Sequence, residues 1–147
     1  MHYAIVNGAE PSLVLVAAVW FAMRTGDPAK AALFGFLAGA GEDVLAFDPA
    51  GTWTIATTVT VLLASLPTRR FFEDSIPLFA LVAGCATLLR SFVYWSAKSL
   101  EGYPAGLATI HFHKALEASV LNAALAILVM AVARRFERRD ALARIRR

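Results

Sequence analysis

The sequence predicts an all-α protein, a bundle of helices that crosses a lipid bilayer several times. Hydrophobic residues make up 59% of its 147 residues and the mean hydropathy is +0.61, too apolar for an ordinary soluble domain around one core. Apolar runs approaching the roughly 20 residues that span a bilayer recur along the chain. Short connections rich in Pro, Gly and charged residues separate them, so consecutive helices are expected to be antiparallel neighbours.

Five apolar segments are expected to form the membrane helices. The first begins with a proline suited to a helix N-terminus and ends before "RTGDPAK", and the third ends before "PTRRFFEDS". In chain order the segments are Pro11–Met23, Ala29–Phe47, Thr52–Leu66, Ile76–Ala97 and Ala105–Ala133. We therefore expect one transmembrane domain over residues 1–133 and a basic cytoplasmic tail over residues 134–147. The tail would be an amphipathic surface helix, a topological anchor or a docking site for an acidic partner.

The distribution of Lys and Arg predicts the orientation. Placing the basic tail in the cytoplasm puts 11 of the 14 positively charged residues inside and only Lys98 outside, as the positive-inside rule requires. An odd number of helices then leaves the N-terminus outside. Residues 2–8, "HYAIVNG", are expected to be either the end of a further helix that is missing upstream or a short re-entrant or interfacial stub.

Several functional classes are excluded by the composition. The basic residues lie in one terminus and short loops, so nucleic acid is not an expected partner. The single cysteine, Cys85, rules out a disulfide framework and a cysteine metal site and is expected to be a small packing residue. No nucleophile constellation, phosphate-binding loop or aspartate-rich diphosphate motif occurs. We therefore expect no enzyme activity, no cofactor and no metal.

The second helix contains two adjacent carboxylates beside a glycine face. Gly35 and Gly39 form a GxxxG pair that allows close helix packing, and Glu42 and Asp43 flank that face on either side. A charge at the bilayer centre costs about 2.5–3.5 kcal/mol, so a partner is expected. Arg90 lies at a similar height in the fourth helix, and we expect it to pair with Asp43 or Glu42. The alternative is that the acids reach external water and Arg90 snorkels outward alone.

The fifth helix begins with a polar stretch, "HFHKALE". Its candidate polar cluster consists of His111, His113, Lys114, Glu117 and Asn122. His113 and Glu117 are four residues apart, a spacing that can ligate a metal or relay protons, although no third ligand is evident. The favoured interpretation is that these polar groups lie near the external boundary and hydrogen-bond to neighbouring helices. Asn122, which is deeper, is expected to link helices.

The stretch from Pro11 to Gly51 resembles the rod shape-determining protein MreD family. That family has a proline-led helix, a short loop with glycine and a G-F-x-x-G-x-x-x-D pattern, matched here by Gly35, Phe36, Gly39 and Asp43. The ending "ASVLNAALAILVMAVARRF" is also similar to the family's last helix. The resemblance implies six helices with both termini inside and a fold similar to energy-coupling-factor transporter substrate-binding subunits. This chain aligns from the second of those helices onward.

The resemblance implies a non-catalytic component of the bacterial cell-wall elongation machinery, in the inner membrane. Implied partners are an MreC-like bitopic membrane protein and, indirectly, MreB filaments and peptidoglycan synthases. The family pattern favours Asp43 as the structural acid and leaves Glu42 unexplained.

Two alternatives remain at this stage. One is a small-solute (vitamin-like) binding subunit of a membrane transporter, with a cavity lined by Arg90, Glu42, the third-helix threonines and the fifth-helix histidines. The other is a membrane hydrolase or transferase centred on His111, His113 and Glu117, which lacks a nucleophile.

Overall fold

The computed structural model describes residues 11–47, 50–66 and 75–145, with side chains described up to residue 136. Over these ranges the chain is α-helical and contains no strand. The helices are α1 (Leu13–Thr25), α2 (Pro28–Ala46), α3 (Thr52–Ser65), α4 (Ile76–Leu100) and α5 (Ala108–Ile145), with one turn of 3-10 helix, Ala105–Leu107, before α5.

Local capping explains where the first two helices begin. The Ser12 hydroxyl accepts a hydrogen bond from the Leu15 backbone N–H, and the Asp27 carboxylate accepts from the N–H groups of Ala29 and Lys30. The bond from the Lys30 backbone N–H is the main cause that holds the pKa of Asp27 below its usual value. Gly26, at φ 57°, ends α1 in the left-handed conformation that glycine adopts at little cost.

Helix α1 lies at the centre of the bundle and contacts each of the other four α-helices. Its Leu15, Val16 and Val19 side chains are at most 1% exposed and pack with Phe79 of α4 and Met130 of α5. Around this helix, α2 packs mainly against α3, and α4 packs against α5. The buried hydrophobic residues form two clusters, one shared by α1, α3, α4 and α5 and one shared by α1, α2 and α3, so α1 contributes to both.

The surface of this bundle is apolar and its interior is partly polar. Large hydrophobic side chains point outward along several helices, among them Leu37 (61% exposed), Leu45 (79%) and Val120 (70%). Charged and polar side chains are buried instead: Asp43, Thr52, Thr57, Thr60, Ser65, Thr87, Arg90 and Asn122. Apolar surface on this scale marks contact with a membrane or a partner.

Within the part of the chain that the structure describes, two helical stretches, Ile76–Leu100 and Ala105–Phe136, are long and apolar enough to cross a membrane. The helices α1 and α3 are apolar but shorter. Helix α5 continues without a break to Ile145, past the expected domain boundary at residue 133. Cys85 is exposed on α4, so within this bundle it is not the small packing residue expected from the sequence. The N-terminal stretch at residues 2–8 lies outside the described residues.

Candidate functional site

The glycine face of α2 lies directly against the backbone of α3. A Cβ placed on Gly39 would lie 2.6 Å from the Thr54 Cα and 2.7 Å from the Trp53 carbonyl oxygen. One placed on Gly35 would lie 3.0 Å from the Val61 Cβ. Only glycine allows so close an approach, which brings the last turn of α2 to the first turn of α3.

Asp43 uses this proximity to cap α3. The residue at the N-cap position of α3 is Gly51, which has no side chain to accept a hydrogen bond. The Asp43 carboxylate takes that place, accepting from the N–H groups of Trp53 and Thr54 at 2.9 Å each and from the Thr54 hydroxyl at 2.5 Å. Its negative charge also lies at the positive end of the α3 dipole. Asp43 therefore fixes α2 to α3.

Glu42 forms the ion pair with Arg90. One guanidinium nitrogen, Nη1, donates to both Glu42 carboxylate oxygens, at 2.8 and 2.9 Å. The two side chains are only 17% and 10% exposed. Of the two acids considered from the sequence, Glu42 rather than Asp43 pairs with Arg90. This pair joins α2 to α4 across the interior of the bundle.

Further hydroxyl donors complete the environment of the Glu42 carboxylate. The Thr57 hydroxyl of α3 donates to Oε2 at 2.9 Å, and the Ser12 hydroxyl at the start of α1 donates to Oε1 at 3.2 Å. Each carboxylate oxygen thus accepts two hydrogen bonds. Burying a carboxylate is costly unless it is hydrogen-bonded, and these donors replace the water that Glu42 loses on burial.

Asn122 extends the same network to α5. Its amide oxygen accepts from the Ser12 backbone N–H at 2.8 Å, and its amide nitrogen donates to the Thr87 hydroxyl of α4 at 2.9 Å. The expectation that Asn122 links helices agrees with these contacts. We call the set Ser12, Glu42, Thr57, Thr87, Arg90 and Asn122 the interhelical network; it includes a residue from each of α2 to α5 and the cap of α1.

An aromatic cluster lies beside the network. The Arg90 guanidinium lies over the Trp53 ring, 4.9 Å from its centre, which adds a cation–π contact to the ion pair. Trp53 packs against Tyr94 with ring centres 4.3 Å apart, and Tyr94 stacks on His111 at 5.9 Å. His111 Nε2 lies 3.1 Å from the Ser91 carbonyl oxygen of α4. This cluster ties the early part of α5 to α4 and α3.

The candidate polar residues of α5 do not lie together: His111 and Asn122 contact neighbouring helices, as expected from the sequence, whereas His113 and Glu117 do not. His111 faces α4, whereas the His113 and Glu117 side chains point away from the bundle and are 78% and 56% exposed. His113 Nε2 and Glu117 Oε1 are 3.7 Å apart, and both residues line an open groove with Lys114. Asn122 belongs to the interior network. Successive residues of a helix are about 100° apart around its axis, so one polar stretch places side chains on opposite faces of α5.

Sequence reasoning missed Ser12 as a network residue. The signal was present, because a serine that precedes an apolar run is a common N-cap. Its hydroxyl both accepts from Leu15 and donates to Glu42, and its backbone N–H donates to Asn122. Thr57 was considered only among the third-helix threonines that could line a cavity, and its hydroxyl instead donates to Glu42.

The chemistry of the network is structural. Its carboxylate, guanidinium and amide groups bond to one another rather than converging on an open space. Among the described residues, no group of three or more His, Cys, Asp or Glu side chains could hold a metal ion. The arrangement can resist separation of the helices and can hold a buried ion pair away from lipid.

Comparisons of this chain with known protein families, with curated proteins and with solved structures find no match.

Proposed function

We propose that this chain is a multi-pass protein of the bacterial inner membrane that acts as a non-catalytic scaffold in cell-wall elongation. One observation carries the proposal: charged and polar side chains form a network inside the bundle that links its helices, while large apolar side chains cover the outside. In a lipid environment this distribution is favourable, because polar groups find partners within the protein.

The crossing of the bilayer is supported by helix dimensions and charge. Helix α4, with 25 residues, is about 38 Å long, enough for a hydrocarbon core of about 30 Å. Helices α1 and α3, with 13 and 14 residues, measure about 20 Å and would require local thinning of the bilayer or polar flanks. The retention of Lys and Arg on one side supports a cytoplasmic C-terminus.

The scaffold role is supported by the contacts of the residues that match the MreD-family pattern. Gly35, Gly39 and Asp43, which carry the resemblance to the MreD family, together form the contact between α2 and α3. A pattern with a packing role is expected in a protein that works by holding helices in place. The implied partner is an MreC-like bitopic membrane protein, and through it MreB filaments and peptidoglycan synthases.

A transporter subunit is the rival function, and one experiment separates the two. The tagged chain is cross-linked and purified from native membranes, alongside a Gly39→Leu variant that disrupts the α2–α3 contact and a Gly41→Ala control at an open position. If the chain is a scaffold, a bitopic wall-synthesis protein should co-purify with the unmodified chain and with the Gly41→Ala control, and much less of it with Gly39→Leu. Depletion of the chain should give rounded cells. A specific small solute bound by the purified chain and lost in Arg90→Ala, with normal cell shape, would contradict it.

A further inference from the structure

Helix α5 extends well past the start of α4 at its C-terminal end. The Ser119 hydroxyl donates to the Gly84 carbonyl, so these two residues lie at one level of the antiparallel helix pair. Counting from that level, the first residue of α4, Ile76, is level with Ile127. Helix α5 runs on to Ile145, about 27 Å further at 1.5 Å per residue. Its last turns therefore lie beyond the end of α4.

Nothing in the sequence favours a bend in this part of α5. Neither glycine nor proline occurs after Gly106, and the helix is continuous to Ile145. The apolar stretch ends at Ala133, where the basic residues begin. With the C-terminus in the cytoplasm, as proposed above, residues 134–145 continue the membrane helix outward from the bilayer. A helix lying on the membrane surface would require a break near Ala133.

The segment 134–145 has most of its positive charge on one side of the helix. Successive residues are about 100° apart, so an arc of about 140° contains half of these positions. We call this arc the tail face; its positions are those of Arg134, Arg135, Arg138, Arg139, Leu142 and Ile145. Both acids of the segment, Glu137 and Asp140, fall outside it, and so does Arg144. The tail face thus combines arginines with two large apolar residues and no acid.

The charges of the tail face repel one another. Arg134 and Arg138 are four residues apart, as are Arg135 and Arg139, and like charges at this spacing destabilise a helix. Retention of the C-terminus in the cytoplasm requires positive charges but no particular side of the helix. A face that joins arginines to large apolar residues is typical of a helix that binds in a groove, with acidic groups around an apolar contact. The tail face therefore has the chemistry of a docking helix.

We infer that the tail face binds an apolar groove with an acidic rim on a cytoplasmic protein. Leu142 and Ile145 lie about 14 and 18 Å beyond Ala133 along the helix, whereas the headgroup layer on one side of a bilayer is about 5–8 Å thick. Lipid therefore does not reach the far end of the face. The tail face of a second copy would place arginines against arginines, which repel. An acidic protein surface with an apolar groove complements both parts of the face.

This docking requires the cytoplasmic C-terminus proposed above but not the wall-synthesis partner. Site-specific photo-cross-linking of the full chain in cells tests it. The photoreactive residue p-benzoylphenylalanine replaces Leu142 in the tail face or, as the matched control, Ala143, the next residue, which lies outside the face. Cross-linked products are separated by electrophoresis, and the attached peptide is identified by mass spectrometry.

Illumination is expected to give several-fold more of one discrete protein product at Leu142 than at Ala143, attached beside Asp or Glu residues of a cytoplasmic protein. Equal yields at the two positions would overturn the inference. So would the absence of a product at Leu142, or products there that are only lipid adducts, a second copy of the chain or a protein segment without acidic residues. A chain that fails this test can still recover its bitopic partner in the co-purification described above, so the two proposals fail separately.

Substitution of single arginines tests the acidic chemistry of the partner. Arg138→Glu, in the tail face, is expected to lower the cross-link yield at Leu142 several-fold, and Arg138→Lys, which keeps the charge, should retain most of it. Arg144→Glu makes the same change of charge outside the face and should leave the yield unaltered. Because both arginines lie beyond the apolar stretch, the bundle should unfold at the same denaturant concentration in all variants. An unchanged yield with Arg138→Glu, or an equal fall with Arg144→Glu, contradicts the inference.

Discussion

Replacing Gly39 with alanine should weaken the bundle, whereas the same change two residues later should not. A Cβ at Gly39 would lie 2.6 Å from the Thr54 Cα and 2.7 Å from the Trp53 carbonyl oxygen, and both atoms belong to the backbone. Carbon atoms in contact prefer about 3.5–4.0 Å, so α2 and α3 must separate by about 1 Å. That movement also stretches the bonds from the Trp53 and Thr54 N–H groups to Asp43.

The magnitude follows from two opposing effects. Overpacking of this kind typically lowers the free energy of unfolding by about 1–3 kcal/mol. Alanine in place of glycine inside a helix raises it by about 0.5–1 kcal/mol. At Gly41 no atom lies within 4 Å of an added Cβ, so only the second effect operates there. The helix-propensity gain is common to both positions, so the two variants should differ by the overpacking alone, about 1–3 kcal/mol, with Gly41→Ala the more stable.

The measurement is an unfolding titration of the purified chain in detergent micelles, followed by circular dichroism. Gly35→Ala provides an intermediate, because its nearest contact, the Val61 Cβ at 3.0 Å, belongs to a side chain. The expected order of stability is Gly41→Ala, then Gly35→Ala, then Gly39→Ala. If Gly39→Ala is as stable as Gly41→Ala, the two backbones do not meet at Gly39 and the reasoning fails.

Two further predictions concern the other contacts between helices. Asp43→Asn keeps one side-chain oxygen but loses the charge and one of the two backbone hydrogen bonds to α3. The same titration should therefore show an unfolding free energy lower by about 1–2 kcal/mol. An unchanged midpoint would contradict the capping role. Asn122→Leu leaves the Ser12 backbone N–H without its acceptor and removes the donor to the Thr87 hydroxyl, which keeps its bond to the Ala83 carbonyl, so the expected loss is about 1–3 kcal/mol. A more stable Asn122→Leu protein would show that this amide does not hold α5 in place.

The choice between the two acids shows what sequence patterns can predict. Counting residues along α2 and α4 indicated that Arg90 reaches the level of Glu42 and Asp43, and Arg90 pairs with Glu42 in the structure. Counting could not select one acid, because both flank the same glycine face. Asp43 instead caps α3, whose own N-cap residue, Gly51, has no side chain. The spacing of residues along α2 does not reveal this contact.

The polar stretch of α5 shows a limit of periodicity. A repeat along a helix shows which residues share a face but not which face meets the bundle. That choice depends on packing, and here Ser119 packs against Gly84. The Ser119 hydroxyl donates to the Gly84 carbonyl, and its oxygen would lie 3.2 Å from a Cβ added at Gly84. His113 and Glu117 consequently point outward. The helix ends were easier to predict, because Ser12, Asp27 and Gly26 are local signals.

The central claim is that the buried charges of this bundle form a structural pair, and a double-mutant cycle on Glu42 and Arg90 tests it most directly. The unfolding free energy is measured for Glu42→Gln, Arg90→Met and the double variant. Removing one member of a buried pair is expected to cost about 3–5 kcal/mol, because a charge is left without its partner. The double variant should lose less than the sum of the two single losses, by a coupling of about 1–3 kcal/mol. Additive losses would contradict the claim and show that Glu42 and Arg90 act independently.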